Sequence, residues 1–490
     1  MSYLENQSAK NFPYNSHSPS TICVFSFLLL LAATIPDAYA DWIPYTRATI
    51  EQIYDSNIFL EPAGENRHDS RSDFRTNISP TIGIRNETQF KVLSLEYSPY
   101  YSYFVKNSNE SYLGHTVTFD FNQSFSARLS IYANDSFNYS EEPLSEEYGE
   151  EISTTVNYGR RKNIRNTGEG GVVYQFGMED FFRVYYLDSR LIYPDNSGYD
   201  YNGNRIQASD DSVEYGPGAE VNYWINQRNG IDLLYEWQRV DYQIRYSRVI
   251  DHLDAGYTYR WSPHTSLRVD YIQDNVRTYG DLSPDYKIYQ ATAGFERIFS
   301  PSLDISLMAG FFHRSMEDWV LEDETQMETD SSQKNNGFMG HVDVHYTRSN
   351  WNVSLTGEAG VRLEFSDYNN RGYTPYREIS IDGRYDFSDR LHGTLNLSYT
   401  HETSPDTLMA LVVGDHRIET YNVTTGLEYL LLEWLTCGIE YQYNDQSETQ
   451  VSDLHLTGYN DNVFTLRLTA TYDWRQREAT PETNSWQPTR

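Results

Sequence analysis

Charged side chains recur at every second position along several stretches of this chain. Glu296 is followed, across a short polar turn, by Asp304. Glu358, Arg362 and Glu364 share one parity, and so do Asp382, Arg384 and Asp386. Arg467 and Asp473 repeat the pattern near the end. His341, Asp343 and His345 alternate with Val342 and Val344. Side chains two apart on a strand share a face, so each set lies on one wall. Carboxylates and guanidinium groups on such a wall can pair across neighbouring strands and set a field over a water-filled path. Imidazole and carboxylate are also metal-competent ligands. Neighbours two apart on a strand are almost 7 Å apart, however, so His341, Asp343 and His345 could close on one ion only with help from adjacent strands. The expectation is a hydrated wall with no metal site.

Motifs for catalysis are absent. The chain has no GxSxG, no HExxH, no Walker motif and no paired-cysteine pattern. No catalytic residue, cofactor or metal ligand is assigned, and the chain reads as a non-enzyme. A hydrolase site assembled at a rim from dispersed Ser, His and acidic residues, acting on lipid or glycan, stands as an alternative.

The elements that must position these residues are strands. In Lys287 to His313, Tyr289, Ala291, Ala293, Phe295 and Phe299 share one face, against Gln290, Thr292, Gly294 and Glu296. After Ser300-Pro301-Ser302 the chain returns with Leu303, Ile305, Leu307, Ala309 and Phe311 opposite Asp304, Ser306, Met308 and Gly310. This is a hairpin with one apolar and one polar wall. Trp351, Val353, Leu355, Ala359, Val361 and Leu363 form a similar apolar row, as do Phe464, Leu466, Leu468, Ala470, Tyr472 and Trp474. The pattern recurs along nearly the whole chain, with no helical period to cover it. A sheet that long must close on itself, and its apolar face then needs lipid. A soluble two-layer β protein is the competing architecture. Short turns such as Phe299-Ser300-Pro301-Ser302-Leu303 and Phe387-Ser388-Asp389-Arg390-Leu391 share one grammar: aromatic, small polar turn, leucine. Further turns are expected at Arg85–Thr88 and Asn122–Ser124. Nine short turns and ten longer connections give about 20 strands. The expected fold is an all-β, antiparallel up-and-down transmembrane barrel of 16–20 strands over residues 41–475, with the polar wall (Glu296, Asp304, Glu358, Arg362, Glu364, Asp382, Arg384, Arg467, Asp473) facing the lumen.

Composition fits that reading. Of 490 residues, 43 are Tyr, and the formal net charge of −32 argues against a nucleic-acid partner. A mean hydropathy of −0.66 would exclude helical spans but not a barrel with a polar lumen. Residues 1–40 read as an export signal, with an apolar core at Ile22–Ile35 and Ala38-Tyr39-Ala40 before Asp41. Its removal would leave Cys437 without a cysteine partner. Residues 476–490 read as a polar tail. Glu141–Glu151 carries six Glu, and Glu317–Asp330 carries seven acidic residues around Trp319. Such runs are usually solvated; the sharper expectation is divalent cations held beside lipopolysaccharide.

The segment Tyr54-Asp55-Ser56-Asn57-Ile58-Phe59, followed by Ser72-Asp73-Phe74 and Ser79-Pro80, resembles the opening of the β-barrel porin 2 family of bacterial outer-membrane proteins. Here Ser56 replaces the family's second Asp. The resemblance implies an outer-membrane barrel, often linked to exopolysaccharide synthesis and export, and brings no catalytic residues. From the residues alone, Asp55 and Asn57 turn the backbone at the end of a strand. The functional expectation is porin-like passage of solutes or support of polysaccharide export. A docking barrel that binds envelope components through acidic loops is the other alternative.

Overall fold

A computed structural model describes residues 42–60, 71–141, 162–194, 198–199, 205–206, 211–243, 247–279, 285–316, 335–362, 374–404, 416–450 and 458–473. Residues 1–41, including the expected signal, lie outside that set, as do the tail, all of Glu141–Glu151 but its first residue, and the whole of Glu317–Asp330.

The chain winds through β1 (Trp42–Asp55), β2 (Asp73–Glu87), β3 (Lys91–Phe104), β4 (Tyr112–Ser124), β5 (Leu129–Ser140), β6 (Asn163–Gln175) and β7 (Phe181–Ile192). A small ladder, β8 (Gly198–Tyr199) with β9 (Arg205–Ile206), interrupts the connection that follows. The wall resumes with β10 (Ser212–Asn226), β11 (Asn229–Tyr242), β12 (Arg248–Ser262), β13 (Thr265–Thr278), β14 (Tyr286–Ser300), β15 (Leu303–Met316) and β16 (Asn335–Arg348). It ends with β17 (Trp351–Arg362), β18 (Thr374–Ser388), β19 (Leu391–Ser404), β20 (His416–Leu432), β21 (Leu435–Gln450) and β22 (Gly458–Asp473). Leaving out the β8–β9 ladder, each strand pairs antiparallel with its neighbours in sequence, in one 20-stranded sheet. β1 pairs with β22 from Tyr45 opposite Asp473 to Asp55 opposite Val463, which closes the sheet into a barrel. The even strand number brings Trp42 and Asp473 to the short-turn side.

Side-chain parity sorts the two walls. Opposed residues of an antiparallel pair share a face. Leu267, Val269 and Tyr271 oppose Phe295, Ala293 and Ala291, and these in turn oppose Leu307, Ala309 and Phe311. This row is the outer one: Phe311 is 70% exposed, and Leu466 and Leu468 on β22 are 52% and 41% exposed. A soluble sandwich would bury them, so the sandwich alternative fails. On β14 the outward row runs from Arg297 near the short turn to Lys287 near the other rim, with Tyr289, Ala291, Ala293 and Phe295 between. Ten residues of tilted strand between those two cations span roughly 24 Å, the height of a barrel's lipid-facing band. Beyond that band, on the long-connection side, the outer row becomes ionic: Arg277 Nη2 is 2.7 Å from Asp251 Oδ2, and Arg239 Nε is 2.9 Å from Asp241 Oδ1. At the short-turn rim Trp42, Phe90, Phe125, Trp261, Phe299, Trp351, Phe387 and Trp434 are exposed, as expected of an aromatic girdle.

The small polar turn residues act through their side chains. Ser388 Oγ accepts from Arg390 N (3.3 Å) and Leu391 N (3.1 Å), and Asn226 Oδ1 accepts from Arg228 N (2.9 Å) and Asn229 N (3.1 Å). These are turn-initiating side-chain-to-backbone bonds. Two expected turns move. The first falls after Glu87, where Thr88 Oγ1 accepts from Lys91 N at 3.0 Å. The second falls after Ser124, where Ser126 Oγ accepts from Leu129 N at 3.1 Å. In both cases a polar pair inside a strand competes with the true turn, and the apolar parity decides. Two turns carry little of the expected chemistry: Glu433-Trp434, and the one at Phe176–Asp180.

Candidate functional site

Among the described residues the inner wall carries many charged side chains, and the register puts most of the expected ones at inner-wall positions. Glu296 opposes Ser266, and Asp304 opposes His345. Glu358 accepts a hydrogen bond from the Tyr376 hydroxyl. Arg362 bridges Glu378 and Glu402, with Nη1 3.0 Å from Glu402 Oε1. Asn396 donates to Asp382 at 2.5 Å, Arg384 donates to Asp386 at 3.1 Å, and Arg467 Nε donates to Glu51 Oε1 at 2.6 Å across the closing seam. Glu364 lies outside the described residues. Asp473 is placed only by backbone register, opposite Tyr45.

The sequence did not reveal the paired aromatic groups on the same wall. Tyr45, Tyr132, Tyr185 and Tyr376 each donate to an inner-wall glutamate: Glu96, Glu169, Glu236 and Glu358 respectively. Arginines lie over three of these rings, with Arg183 4.4 Å above Tyr185, Arg362 3.9 Å above Tyr376 and Arg85 5.9 Å above Tyr45. Arg183 also pairs with Glu220 at 2.8 Å. The Tyr185 ring lies flat over Gly218, where a Cβ would fall 2.3 Å from the ring. A residue with any side chain there would push the ring off the wall. Gly218→Ala should therefore lower stability by about 1–3 kcal/mol. Urea unfolding from vesicles checks this, with Gly438→Ala as control, since the nearest atom to a Cβ there is 3.8 Å away.

His341, Asp343 and His345 do share the inner face. Both imidazoles turn to Asp343, at 3.5 and 3.7 Å, and Thr356 donates to the same carboxylate at 2.7 Å. They form a short polar row and no ion-sized cage. The carboxylates that do converge are Asp232, Asp254 and Asp270, with ligand oxygens within 4.8 Å of one another. Arg268 occupies part of that space, donating to Asp232 at 3.0 Å and to Asp270 at 2.8 Å. A protein cation already stands where a metal would.

At the long-connection rim Asp55, Asn57, Ile58, Phe59 and Asp73 are buried. Asp55 Oδ1 accepts from Asn57 N at 2.8 Å, the turn expected of an Asp two residues before its donor. Ser56 Oγ donates to Asp461 Oδ1 at 2.9 Å and accepts from Asn462 N at 2.7 Å, which ties β1 to β22. Ile58 and Phe59 pack with Phe104 and Tyr112. Fully buried Asp73 accepts from Phe74 N, Lys106 N, Asn107 N and Asn107 Nδ2 at 2.7–2.9 Å. A second apolar cluster, Ile250, Val276, Tyr286 and Ile288, lies on the inner wall of β12–β14, and Val361 packs against it. Alternation put Val361 on the lipid face. β16 and β17 are paired only between Arg348–Trp351 and Gly340–Ala359, so the end of β17 is free of β16. Val361 can meet β12–β14 only from inside the barrel.

A Thr–His–Glu row occurs on the outer parity of β19 and β20, with Thr403 Oγ1 3.2 Å from His401 Nε2 and Glu419 Oε1 3.3 Å from His401 Nδ1. His401 Nδ1 nevertheless has no hydrogen-bond partner. Without that bond the imidazole is not oriented as a base, and the row gives the rim-hydrolase alternative no support.

No family model and no curated protein sequence matches the chain. Among solved structures it is similar to OccAB4 of Acinetobacter baumannii, at 9% identity and a TM-score of 0.39, over 88% of this chain and 98% of that one. It is also similar to the FrpB iron transporter of Neisseria meningitidis, at 9% and 0.49, over 89% and 83%. OccK2 of Pseudomonas aeruginosa gives 11% and 0.40, over 88% and 98%. At that depth the likeness carries no argument of its own. The barrel rests on this chain's own strand pairing.

Proposed function

We propose that the chain is an outer-membrane β-barrel that lets hydrophilic solutes pass along its inner wall. One contrast carries this reading: an apolar outer wall of membrane height encloses an inner wall of Arg–carboxylate and Tyr–carboxylate pairs. Such a wall holds water, and its fixed charges act on whatever crosses. Residues 1–40 would serve as the export signal. Lipopolysaccharide would surround the outer rim, with divalent cations at Glu141–Glu151 and Glu317–Asp330. Support of polysaccharide export is the finer reading. It rests on the resemblance of residues 54–80 to the β-barrel porin 2 family, and the Ser56 and Asp73 contacts give those residues a structural task in any case. Planar bilayers test the passage reading. Purified protein should insert with discrete conductance steps, and an inserted barrel that never conducts would contradict it. A neutral polysaccharide added on one side should then block the current transiently if export is the task.

A further inference from the structure

Resting on the passage reading, we infer that the pore is cation-selective, preferring small inorganic and organic cations to anions of equal size. The observation is how the inner wall neutralises its arginines. Arg362 lies between Glu378 and Glu402, Arg268 between Asp232 and Asp270, and Arg183 between Glu220 and Glu169. One guanidinium between two carboxylates leaves one negative charge at each of these places. Tyrosine hydroxyls serve Glu236 and Glu358, and a hydroxyl donor solvates a carboxylate without neutralising it.

Other inner-wall acids are in no ion pair of their own. Among the described residues, Glu296 and Asp304 form no ion pair, and Asp254 Oδ1 is buried without a hydrogen-bond partner. Glu296 borders a recess of about 190 Å³ with Asp232, Arg268, Arg260 and Trp224. Arg260 does not offset it, since that guanidinium pairs with Glu179 in the adjacent short turn. The inference concerns the sign of the whole wall and does not need an ion bound at Asp254. Carboxylates in excess, set in a low-dielectric wall around water, raise the local concentration of cations and depress that of anions.

The test is the reversal potential of single channels in a KCl gradient. The wild-type protein should favour K⁺ over Cl⁻ on the order of tenfold. Raising the salt on both sides should shrink the ratio by screening. Glu296→Gln, at an exposed position, should move the ratio toward parity, and Asp254→Asn with Glu296→Gln should move it further. Channels that conduct with a ratio of one or below overturn the inference and leave passage intact. A ratio that ignores both variants and salt overturns it as well. A silent bilayer instead removes passage, and the inference falls with it.

Discussion

Leu468→Arg should raise the free energy of folding into lipid by about 2–4 kcal/mol, while Thr469→Arg, one residue on, should change it little. Leu468 lies midway along the outward row from Phe464 to Tyr472 and is 41% exposed. In water such exposure would favour Arg. In hydrocarbon an arginine must either carry water with it or reach for the interface, and the middle of the band is the worst place to do either. Thr469 points the other way, its Oγ1 3.3 Å from Thr49 Oγ1, and an arginine there meets the hydrated lumen. Refolding from urea into vesicles measures both variants. Equal costs would mean that the two faces see the same medium.

Asp73→Ala should destabilise the barrel by roughly 3 kcal/mol or more. The carboxylate is fully buried and takes four N–H groups, three of them from Lys106 and Asn107 at the β3–β4 connection. Hydrogen bonds to a charged group contribute about 1.5–3 kcal/mol each, and alanine would leave buried donors unmatched. Asp73→Asn keeps the shape but loses the charge and acceptor capacity, so its cost should fall between the two. The urea midpoint gives the magnitude. Protease cutting near Lys106 in the variant gives the location. A midpoint unchanged by Asp73→Ala would show that the rim cluster does not support the wall.

Alternation made the walls legible because the period of a strand is two and a membrane barrel offers two media. Leu307 and Ser306 need nothing but their neighbours to be sorted. The pairings on the inner wall were not legible in the same way. Glu51 meets Arg467 only because β1 closes on β22, and that register depends on the shear of the whole barrel. The Tyr185–Glu236 bond likewise crosses two strand boundaries. Val361 departs from its row because β16 and β17 part near Ala359, and nothing in the local sequence marks the parting. Glu433-Trp434 turns the chain with little help from its side chains, so turn chemistry could not announce it. The Tyr54–Phe59 segment was recognisable as a pattern, yet its physical task appears only once β22 lies beside it.

Spin labels placed one at a time from Leu303 to Met316, in a Cys437→Ser background, test the two-walled barrel most directly. Oxygen, which concentrates in lipid, should relax labels at 305, 307, 309 and 311. A water-soluble nickel chelate should relax labels at 304, 306, 308 and 310, with the two profiles in opposite phase. Profiles in the same phase, or nickel access at both parities across the middle of the strand, would contradict a barrel with hydrocarbon outside and water within.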